Sequence, residues 1–391
     1  RRYVFSLYLK VGKSTNGKRR LKHVSVLGLI YVRPNNIFQI KNIGSFIPEG
    51  LRPNIRKRVK HSLNALGIRE YSAPRVGPKP SKLSPWFITG FTDAEGCFSI
   101  SIYKDSTRPI GWRVCAEFLI GLHKRDERLL REIQAYLGGI GRIGKFAKDA
   151  YALRVNTIGQ MIKIIEHFDK YPLISKKHAD YILWREVIMV MQRKEHITPK
   201  GLLTVLSLRA SLNLGLSESL KIAFPDIIPA IRPKVENITI PDGEWLAGFT
   251  SGEGCFFVFV SKSLTHSLGF RVQLVFQITQ HSPQRPPVPG TGGSWAERGD
   301  EKLMASLISH LGCGRLVTSS DNKVQFRVEK FTDIYEKILP FFYDYNIRGV
   351  KLEDFKDWST VAKFMRDGEH LTTDGLNKIV KIKAGMNKGR A

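Results

Sequence analysis

The chain has few cysteines, no long hydrophobic run and a shortage of acidic side chains. Its four cysteines lie far apart and form neither a Cys-x-x-Cys pair nor a Cys/His cluster. This pattern argues against a zinc site and a disulfide framework, and it favours a reducing compartment. The longest apolar stretch, near VSVLGLIYV from Val24, is well short of the roughly 18 residues that a membrane helix needs. No membrane association is therefore expected.

The shortage of acids leaves a strongly basic protein. The 62 Lys and Arg residues face only 35 Asp and Glu residues, for a formal net charge of +27. Residues 1–80 alone hold 18 basic side chains and two acidic ones. Such a balance indicates a polyanionic partner, with nucleic acid as the leading candidate. The segment 1–80 is expected to strengthen binding through phosphate contacts, which carry no sequence information.

One segment of the chain occurs twice. WFITGFTDAEGCF begins at Trp86 and EWLAGFTSGEGCF begins at Glu244, 158 residues later. The similarity continues after each copy, although the spacing becomes 174 once the second copy has inserted a Pro/Gly-rich segment from Ser282, which predicts a surface loop. The matched pairs include Gly111 with Gly269, Phe118 with Phe276, Asp126 with Asp300, Lys177 with Lys351, and Trp184 with Trp358.

This duplication predicts three parts. Residues 1–80 form a basic N-terminal extension, residues 81–230 the first repeat with a linker, and residues 231–391 the second repeat. Within the extension, two strands joined by an Asn-Gly turn are expected from Ser6, and a basic amphipathic helix is expected from Leu51. The helix would hold phosphate or be the remnant of an upstream fused exon.

Each repeat is predicted to begin with a helix that leads into two strands. In the first repeat Ser84 can cap a helix that Pro85 opens and that ends at Glu95, before Gly96. Asp242 takes the capping position in the second repeat. The strands that follow alternate apolar and polar residues, so one face of each sheet enters the core.

The other face of each sheet is polar and is suited to the major groove of DNA. A two-stranded ribbon fits that groove, where Arg pairs with guanine and Gln with adenine. The alternative is an ordinary solvated sheet face. The candidate DNA-binding residues are Ser99, Ser101, Tyr103, Arg113 and Glu117 in the first repeat, and Arg271, Gln273, Gln277 and Thr279 in the second.

The two predicted motif helices each end in a glutamate, Glu95 or Glu253. A carboxylate at a helix C-terminus meets the negative end of the helix dipole, so it needs a compensating positive group. If the helices pack together through Gly90 and Gly248, the two carboxylates become neighbours. A hard divalent cation would satisfy both, because Mg²⁺ binds carboxylate and carbonyl oxygens, water and phosphate.

The carbonyl groups of Ala94 and Gly252 are expected within reach of such a cation. Asp93 precedes Ala94, but Ser251 takes its place in the second repeat. A supporting role is therefore expected for Asp93.

These features together resemble the LAGLIDADG homing endonucleases of the single-chain type. ITGFTDAEG from Ile88 and LAGFTSGEG from Leu246 match the nine-letter family motif, with glutamate in place of its last aspartate. The resemblance covers residues 83–385. It implies an α+β (mixed α/β) monomer with pseudo-twofold symmetry, in which two antiparallel β-saddles lie over double-stranded DNA and the motif helices form the interface.

The resemblance also implies the chemistry. Glu95 and Glu253 would bind Mg²⁺, or another divalent cation such as Mn²⁺, and both DNA strands would be cut. FQITQ from Phe276 resembles a family strand whose last glutamine orients solvent near the metal, which nominates Gln280. The first repeat has Leu122 at that place, so the two active sites would be unequal.

A basic side chain beside the scissile phosphate is a further implication of the resemblance. Lys177 and Lys351 are aligned and could stabilise developing negative charge, with Lys176 as a rival. His123 and His281 are aligned too, but a structural role is the stronger expectation for both.

Three functions are compatible with these observations. The first is a sequence-specific endonuclease for intron homing, which retention of both glutamates favours. The second is a maturase that binds group I intron RNA and assists splicing, and the third is a non-catalytic RNA- or ribosome-associated protein. An organellar, mitochondrial location is implied by the resemblance.

Overall fold

The computed structural model describes the backbone of residues 2–15, 18–32, 37–41, 69–70, 82–235, 238–281, 300–318 and 323–390. It divides the chain into two units, Arg1–Val76 and Gly77–Ala391. Three predicted features fall outside the described residues: the Asn-Gly turn at 16–17, the basic helix from Leu51, and the insertion 282–299. The division of the larger unit near residue 230 stays a prediction.

The smaller unit contains one sheet. Strands β1 (Arg2–Thr15) and β2 (Lys18–Val32) pair antiparallel from Arg2 with Tyr31 to Thr15 with Lys18, as the sequence predicted. Strand β3 (Ile37–Lys41) pairs antiparallel with β2, and β4 (Arg69–Glu70) pairs parallel with β3. This sheet is separate from those that carry the duplicated motif.

The larger unit contains the duplicated sequence as two similar sets of elements. The first set consists of α1 (Pro85–Glu95), β5 (Gly96–Lys104), β6 (Trp112–His123), α2 (Glu127–Tyr136), β7 (Arg142–Ala147), β8 (Ala150–Val155), α3 (Ile158–Lys170), α4 (Lys177–Gln192), α5 (Pro199–Ser211) and α6 (Glu218–Ala223). The second consists of α7 (Gly243–Glu253), β9 (Gly254–Lys262), β10 (Phe270–His281), α8 (Glu301–Leu311), β11 (Arg315–Thr318), β12 (Lys323–Val328), α9 (331–344, with a π turn at Ile334–Ile338), α10 (Lys351–Asp367) and α11 (Thr373–Ala384).

Each repeat forms one four-stranded antiparallel sheet. The strand order is β5-β6-β8-β7 in the first repeat and β9-β10-β12-β11 in the second. The predicted α+β class with two antiparallel sheets is therefore confirmed. Across the described residues, no helix combines the length and apolar character that crossing a membrane requires.

Alternation along the strands places apolar side chains in two matching cores. Phe98 and Phe118 are buried with ring centroids 5.3 Å apart, and the aligned pair Phe256 and Phe276 are 5.2 Å apart. The aligned tryptophans on α4 and α10 are also fully buried. The cores are thus equivalent down to single aromatic contacts, as a duplicated sequence requires.

Helices α1 and α7 pack so closely that their backbones touch. A Cβ atom added to Gly90 would lie 1.9 Å from the carbonyl oxygen of Trp245, and one added to Gly248 would lie 2.2 Å from that of Phe87. No side chain larger than hydrogen fits at either position. The predicted packing through these two glycines is present.

The helix starts differ between the repeats. Asp242 caps α7, since its side chain accepts a hydrogen bond from the amide of Glu244 at 2.7 Å. Ser84 makes no side-chain cap on α1, and its carbonyl accepts the amide of Ile88 instead. Proline at the first position already lacks one of the amides that a cap would satisfy.

Candidate active site at the paired helices

The two motif glutamates end the paired helices and interact with each other. Glu95 packs against Gly252, where an added Cβ would lie 3.0 Å from the Glu95 Cγ and 3.3 Å from its Oε1. Burial, and then the neighbouring Glu95, raise the pKa of Glu253 to about 7, while Lys177 and Lys351 oppose the rise. The paired helices therefore hold two acidic groups close enough to disfavour a second charge.

Two half-buried lysines bind the carbonyl groups at the ends of these helices. The Lys177 ammonium donates to the carbonyl oxygens of Ala94 at 2.6 Å and Thr92 at 3.2 Å. The Lys351 ammonium donates to the carbonyl oxygen of Gly252. The positive charge of each lysine compensates the negative end of the helix dipole.

Burial lowers the pKa of Lys177 and of Lys351, and nearby acids, including Glu95 and Glu253, oppose the decrease. Both lysines therefore lie in a poorly solvated setting that also contains the glutamates. The carbonyls of Ala94 and Gly252, predicted to bind metal, here accept lysine hydrogen bonds, and each carbonyl oxygen has a second lone pair.

A cavity of about 360 Å³ opens beside Glu95. Its walls include Leu122, Asp126, Gly252 and Lys351. Leu122 thus contributes an apolar wall at the place where Gln280 stands in the second repeat. Gln280 itself lies near the end of β10, paired with Val324 of β12.

The predicted DNA-binding residues of the first repeat share the outward face of β5 and β6. Ser99 pairs with Glu117, and Tyr103 pairs with Arg113. Ser101 is exposed between these two pairs. These side chains form one polar surface, as alternation predicted.

The second repeat has its predicted DNA-binding residues on the outward face of strand β10, at Arg271, Gln273, Gln277 and Thr279. The Gln277 side-chain amide donates to the Thr279 hydroxyl at 2.9 Å. Phe259, which the sequence analysis did not select, pairs with Gln273 and is 42% exposed. This sheet therefore presents an aromatic ring among its polar groups.

Further residues on the other strands extend both faces. Arg154 pairs with Leu119 of β6 and lies 3.8 Å from Glu117, so it adds a positive charge to the first face. On β12, Gln325 pairs with Thr279 and Arg327 pairs with Gln277. These residues were not among the predicted DNA-binding positions, although Gln325 and Arg327 alternate with apolar residues in KVQFRV from Lys323.

The buried Asp93 carboxylate accepts hydrogen bonds from other parts of the protein. Its carboxylate accepts hydrogen bonds from the amide of Ile174 at 3.1 Å and from Trp245 Nε1 at 2.9 Å. It also accepts from the amide and the hydroxyl of Ser175. Asp93 therefore joins helix α1 to α7 and to the segment before α4, which agrees with the supporting role expected of it.

His123 and Lys176 lie at the margin of the site. His123 lines the cavity, and its Nδ1 accepts the amide of Arg125 at 3.3 Å, which is a local structural contact. The side chain of His281 lies outside the described residues. Lys176 Nζ lies 3.6 Å from Asp300, while Lys177, rather than Lys176, reaches the carbonyls of α1.

Comparison with known proteins agrees with this geometry. A family model described as LAGLIDADG endonuclease matches residues 88–188 and 246–362. Probable intron-encoded endonuclease 2 of Neurospora crassa is 38% identical over 360 residues, which are 84% of this chain and 75% of that protein. Probable intron-encoded endonuclease 3 of the same organism is 34% identical over 302 residues, which are 76% of this chain and 53% of that protein.

Solved structures give the same result. The LAGLIDADG homing endonuclease I-SmaMI, bound to cleaved DNA, is 43% identical with a TM-score of 0.75, and the match covers 81% of this chain and all of that one. I-GzeII in complex with its DNA target is 41% identical with a TM-score of 0.71, covering 79% and 100% of the two chains. Since the family model matches both copies of the motif helix and the sheets that follow them, this chain belongs to the LAGLIDADG endonuclease family.

Proposed function

We propose that this chain is a sequence-specific DNA endonuclease that cuts both strands of a long target at an intron-insertion site. The observation that carries the proposal is the contact between two equivalent helices that brings Glu95 and Glu253 together between two half-buried lysines. The two outward sheet faces supply a surface for the DNA on each side of this centre. The solved relatives named above were bound to DNA.

The acidic pair fits a hard divalent cation, for which we propose Mg²⁺ or Mn²⁺. Burial, and then repulsion from Glu95, raise the pKa of Glu253, and a bound cation would offset both effects. Within the described residues, no group of three or more His, Cys, Asp or Glu side chains is placed to hold a metal. The remaining ligands would thus be the carbonyls of Ala94 and Gly252, water and DNA phosphate.

When bound, such a cation lowers the pKa of water and stabilises the leaving oxygen of a phosphodiester. One relative has been solved with uncleaved DNA in the presence of calcium ions. This supports divalent-metal dependence and leaves the identity of the working metal to the assay below.

The protein's own contribution is charge and position. Lys177 and Lys351 are held at equivalent places by carbonyls of α1 and α7, so one ammonium group is available for each DNA strand. A fixed positive charge stabilises the additional negative charge that develops on the phosphate. Gln280 would orient solvent on one side, while Leu122 cannot do so on the other.

The test is cleavage of DNA that carries the joined exons flanking the intron. Wild-type protein with Mg²⁺ should cut both strands, and chelation should stop cutting. Glu95→Gln and Glu253→Gln should each abolish double-strand cleavage while binding persists. Glu244→Gln, at the opposite end of α7, is the matched control and should still cut. Cleavage that survives either motif substitution would remove that glutamate from the mechanism.

We also propose a mitochondrial location. Relatives of this chain include a protein in ND4 intron 1 of Podospora anserina, 44% identical over 120 residues, and the mitochondrial protein RF1 of Saccharomyces cerevisiae, 21% identical over 314 residues.

A splicing assay distinguishes the maturase hypothesis from the endonuclease function. Acceleration of splicing that persists in both glutamate variants would demonstrate an RNA function independent of the acidic pair.

A further inference from the structure

We propose that Asp126 and Asp300 are positioning residues, each of which holds the helix that carries the active-site lysine of the other repeat. This inference rests on the proposed function. Asp126 belongs to the first repeat and contacts the start of α10, and Asp300 belongs to the second repeat and contacts the start of α4.

The first contact joins Asp126 to the residue before Lys351. The Asp126 Oδ1 accepts the amide of Val350 at 2.7 Å. A Cβ added to Gly349 would lie 2.5 Å from the same oxygen, and Gly349 has a φ of +69°. The carboxylate therefore packs on bare backbone at the point where α10 begins.

The second contact is its counterpart. Asp300 is 5% exposed, and its Oδ1 accepts the amide of Lys176 at 3.4 Å. Lys176 Nζ also lies 3.6 Å from the Asp300 Oδ2. Lys176 immediately precedes Lys177, the first residue of α4.

The two contacts are related by the duplication. Asp126 and Asp300, residues 176 and 350, and Lys177 and Lys351 are all separated by the same 174 positions. The same donor and acceptor positions therefore meet twice, and both times the meeting is between repeats. A chance surface contact would not recur in both halves.

A carboxylate at a helix start has a physical effect on the first residues of the helix. The first amides of a helix have no partner within it, and the positive end of the dipole attracts an anion. The aspartate fixes the backbone one residue before the lysine, and a helix-end carbonyl fixes the ammonium group. Each lysine is thereby held at both ends.

Electrostatics agree with this pairing. Asp126 is among the acids that oppose the lowering of the Lys351 pKa, and Lys177 is among the groups that oppose the raising of the Asp300 pKa. Asp126 also lines the cavity with Lys351 and Glu95. Each aspartate thus belongs to the surroundings of the lysine of the opposite repeat.

The experiment measures single-turnover nicking of each strand on duplexes labelled at one end. Lys351→Met and Lys177→Met first identify which strand depends on each lysine. Asp126→Ala should slow the Lys351-dependent strand by about tenfold to a hundredfold, because misplacing a catalytic group by about an ångström has effects of that size. The other strand should keep its wild-type rate. Asp300→Ala should show the reverse pattern.

Two further variants distinguish positioning from folding. Asp126→Asn keeps an oxygen acceptor for the Val350 amide, so most of the rate should return. Asp374→Ala removes another acid from the first turn of a helix, where it pairs only with Lys378 among the described ion pairs, and should change neither strand. Melting curves establish that the variants are folded.

The outcomes separate this inference from the proposed function. Equal slowing of both strands by Asp126→Ala, or no recovery with Asp126→Asn, overturns the inference while cleavage stands. The same holds if Lys351→Met slows neither strand. A wild-type protein that nicks neither strand overturns the proposed function and the inference with it.

Discussion

The two repeats agree in the residues that hold the site and differ in those that surround it. Both have a motif glutamate, a half-buried lysine bound to a helix-end carbonyl, and an aspartate that contacts the other repeat. They differ at Leu122 and Gln280, and at Asp93 and Ser251. The duplication therefore preserved one chemical arrangement while the environment of each copy diverged.

The pair Asp93 and Ser251 shows how a contact survives a change of residue. Asp93 accepts the amide of Ile174, and the hydroxyl of Ser251 accepts the amide of Arg348 at 3.0 Å, 174 positions later. Only Asp93 also binds the indole of Trp245. The shared backbone contact is retained, and the additional contact belongs to the first repeat alone.

Among the variants that distinguish the two repeats, the largest effect is expected from the lysines. Lys177→Met and Lys351→Met should each slow one strand by about a hundredfold or more, the size seen when one transition-state donor is removed. The variants should act on opposite strands, because each lysine lies at the end of a different motif helix. Strand-specific nicking rates provide the measurement. Equal slowing of both strands would show that the lysines act on a shared step.

Substitutions of Gly90 and Gly248 test the packing of helices α1 and α7, to which both repeats contribute in the same way. Gly90→Ala and Gly248→Ala should each reduce the free energy of unfolding by about 3 kcal/mol, because overpacking forces a backbone shift. The two losses should be similar, since each added Cβ meets a backbone carbonyl. Denaturant unfolding measures them.

Gly159→Ala is the control for these variants. Gly159 lies in helix α3 with no atom within 4 Å of the added Cβ, so alanine should be neutral or stabilising there. A large loss at Gly90 and none at Gly248 would contradict the equivalence of the interface.

The pH dependence of stability tests the crowding of the acids. The pKa of Glu253 is raised in the folded protein to about 7 from an ordinary 4.5. At low pH the carboxyl is neutral in the folded and the unfolded protein, so it does not affect the free energy of unfolding. As pH rises between the two pKa values, the carboxyl increasingly destabilises the folded protein, and above them this destabilisation stays constant. Without metal or DNA, Glu253→Gln should therefore stabilise the protein at pH 8 by up to about 3 kcal/mol.

The stabilisation should shrink as pH falls from 7 towards 4.5 and disappear below about pH 4, where the Glu253 carboxyl is neutral in both states. Thermal unfolding across this range is the measurement. The exposed Glu218→Gln variant serves as the control, with a side chain 81% accessible and paired to Lys221. A Glu253→Gln stabilisation that is the same at pH 5 and pH 8 would rule out the titration of this carboxyl as its cause.

The smallest effect concerns the unequal neighbours. Gln280→Leu should slow one strand by about tenfold, which is about 1.4 kcal/mol in activation free energy. Leu122→Gln should speed the other strand if a glutamine there orients solvent. The ratio of the two strand rates is the measurement, and an unchanged ratio in both variants would remove these positions from catalysis.

Much of the fold could be predicted from the sequence because it depends on local patterns. Proline before an apolar run and glycine after Glu95 marked helix α1, and alternation assigned the buried and outward faces of β5 and β6. The repetition predicted the pairing of the two motif helices, because glycine at equivalent positions of both helices indicated their close approach.

The lysine and aspartate contacts could not be predicted in this way. Asp126 and Val350 are 224 positions apart, and nothing local in either segment indicates that they meet. The aligned Asp180 and Asp354 give a second example. Asp180 is bound by Arg232, which precedes helix α7, whereas Asp354 is bound by Arg390 near the end of the chain. The two aspartates are aligned, but the arginines that bind them are not.

The crossed aspartate contacts restrict how such nucleases can be recombined. A half taken from one relative and joined to a half from another brings its own lysine helix but depends on an aspartate that the new partner must supply. Chimaeras intended to combine two target half-sites should therefore be chosen to match at Asp126 and the residue facing it, and at Asp300 and Lys176. A mismatch at one of these contacts should make one strand cut more slowly than the other, so that nicked DNA accumulates, because only one lysine would keep its position.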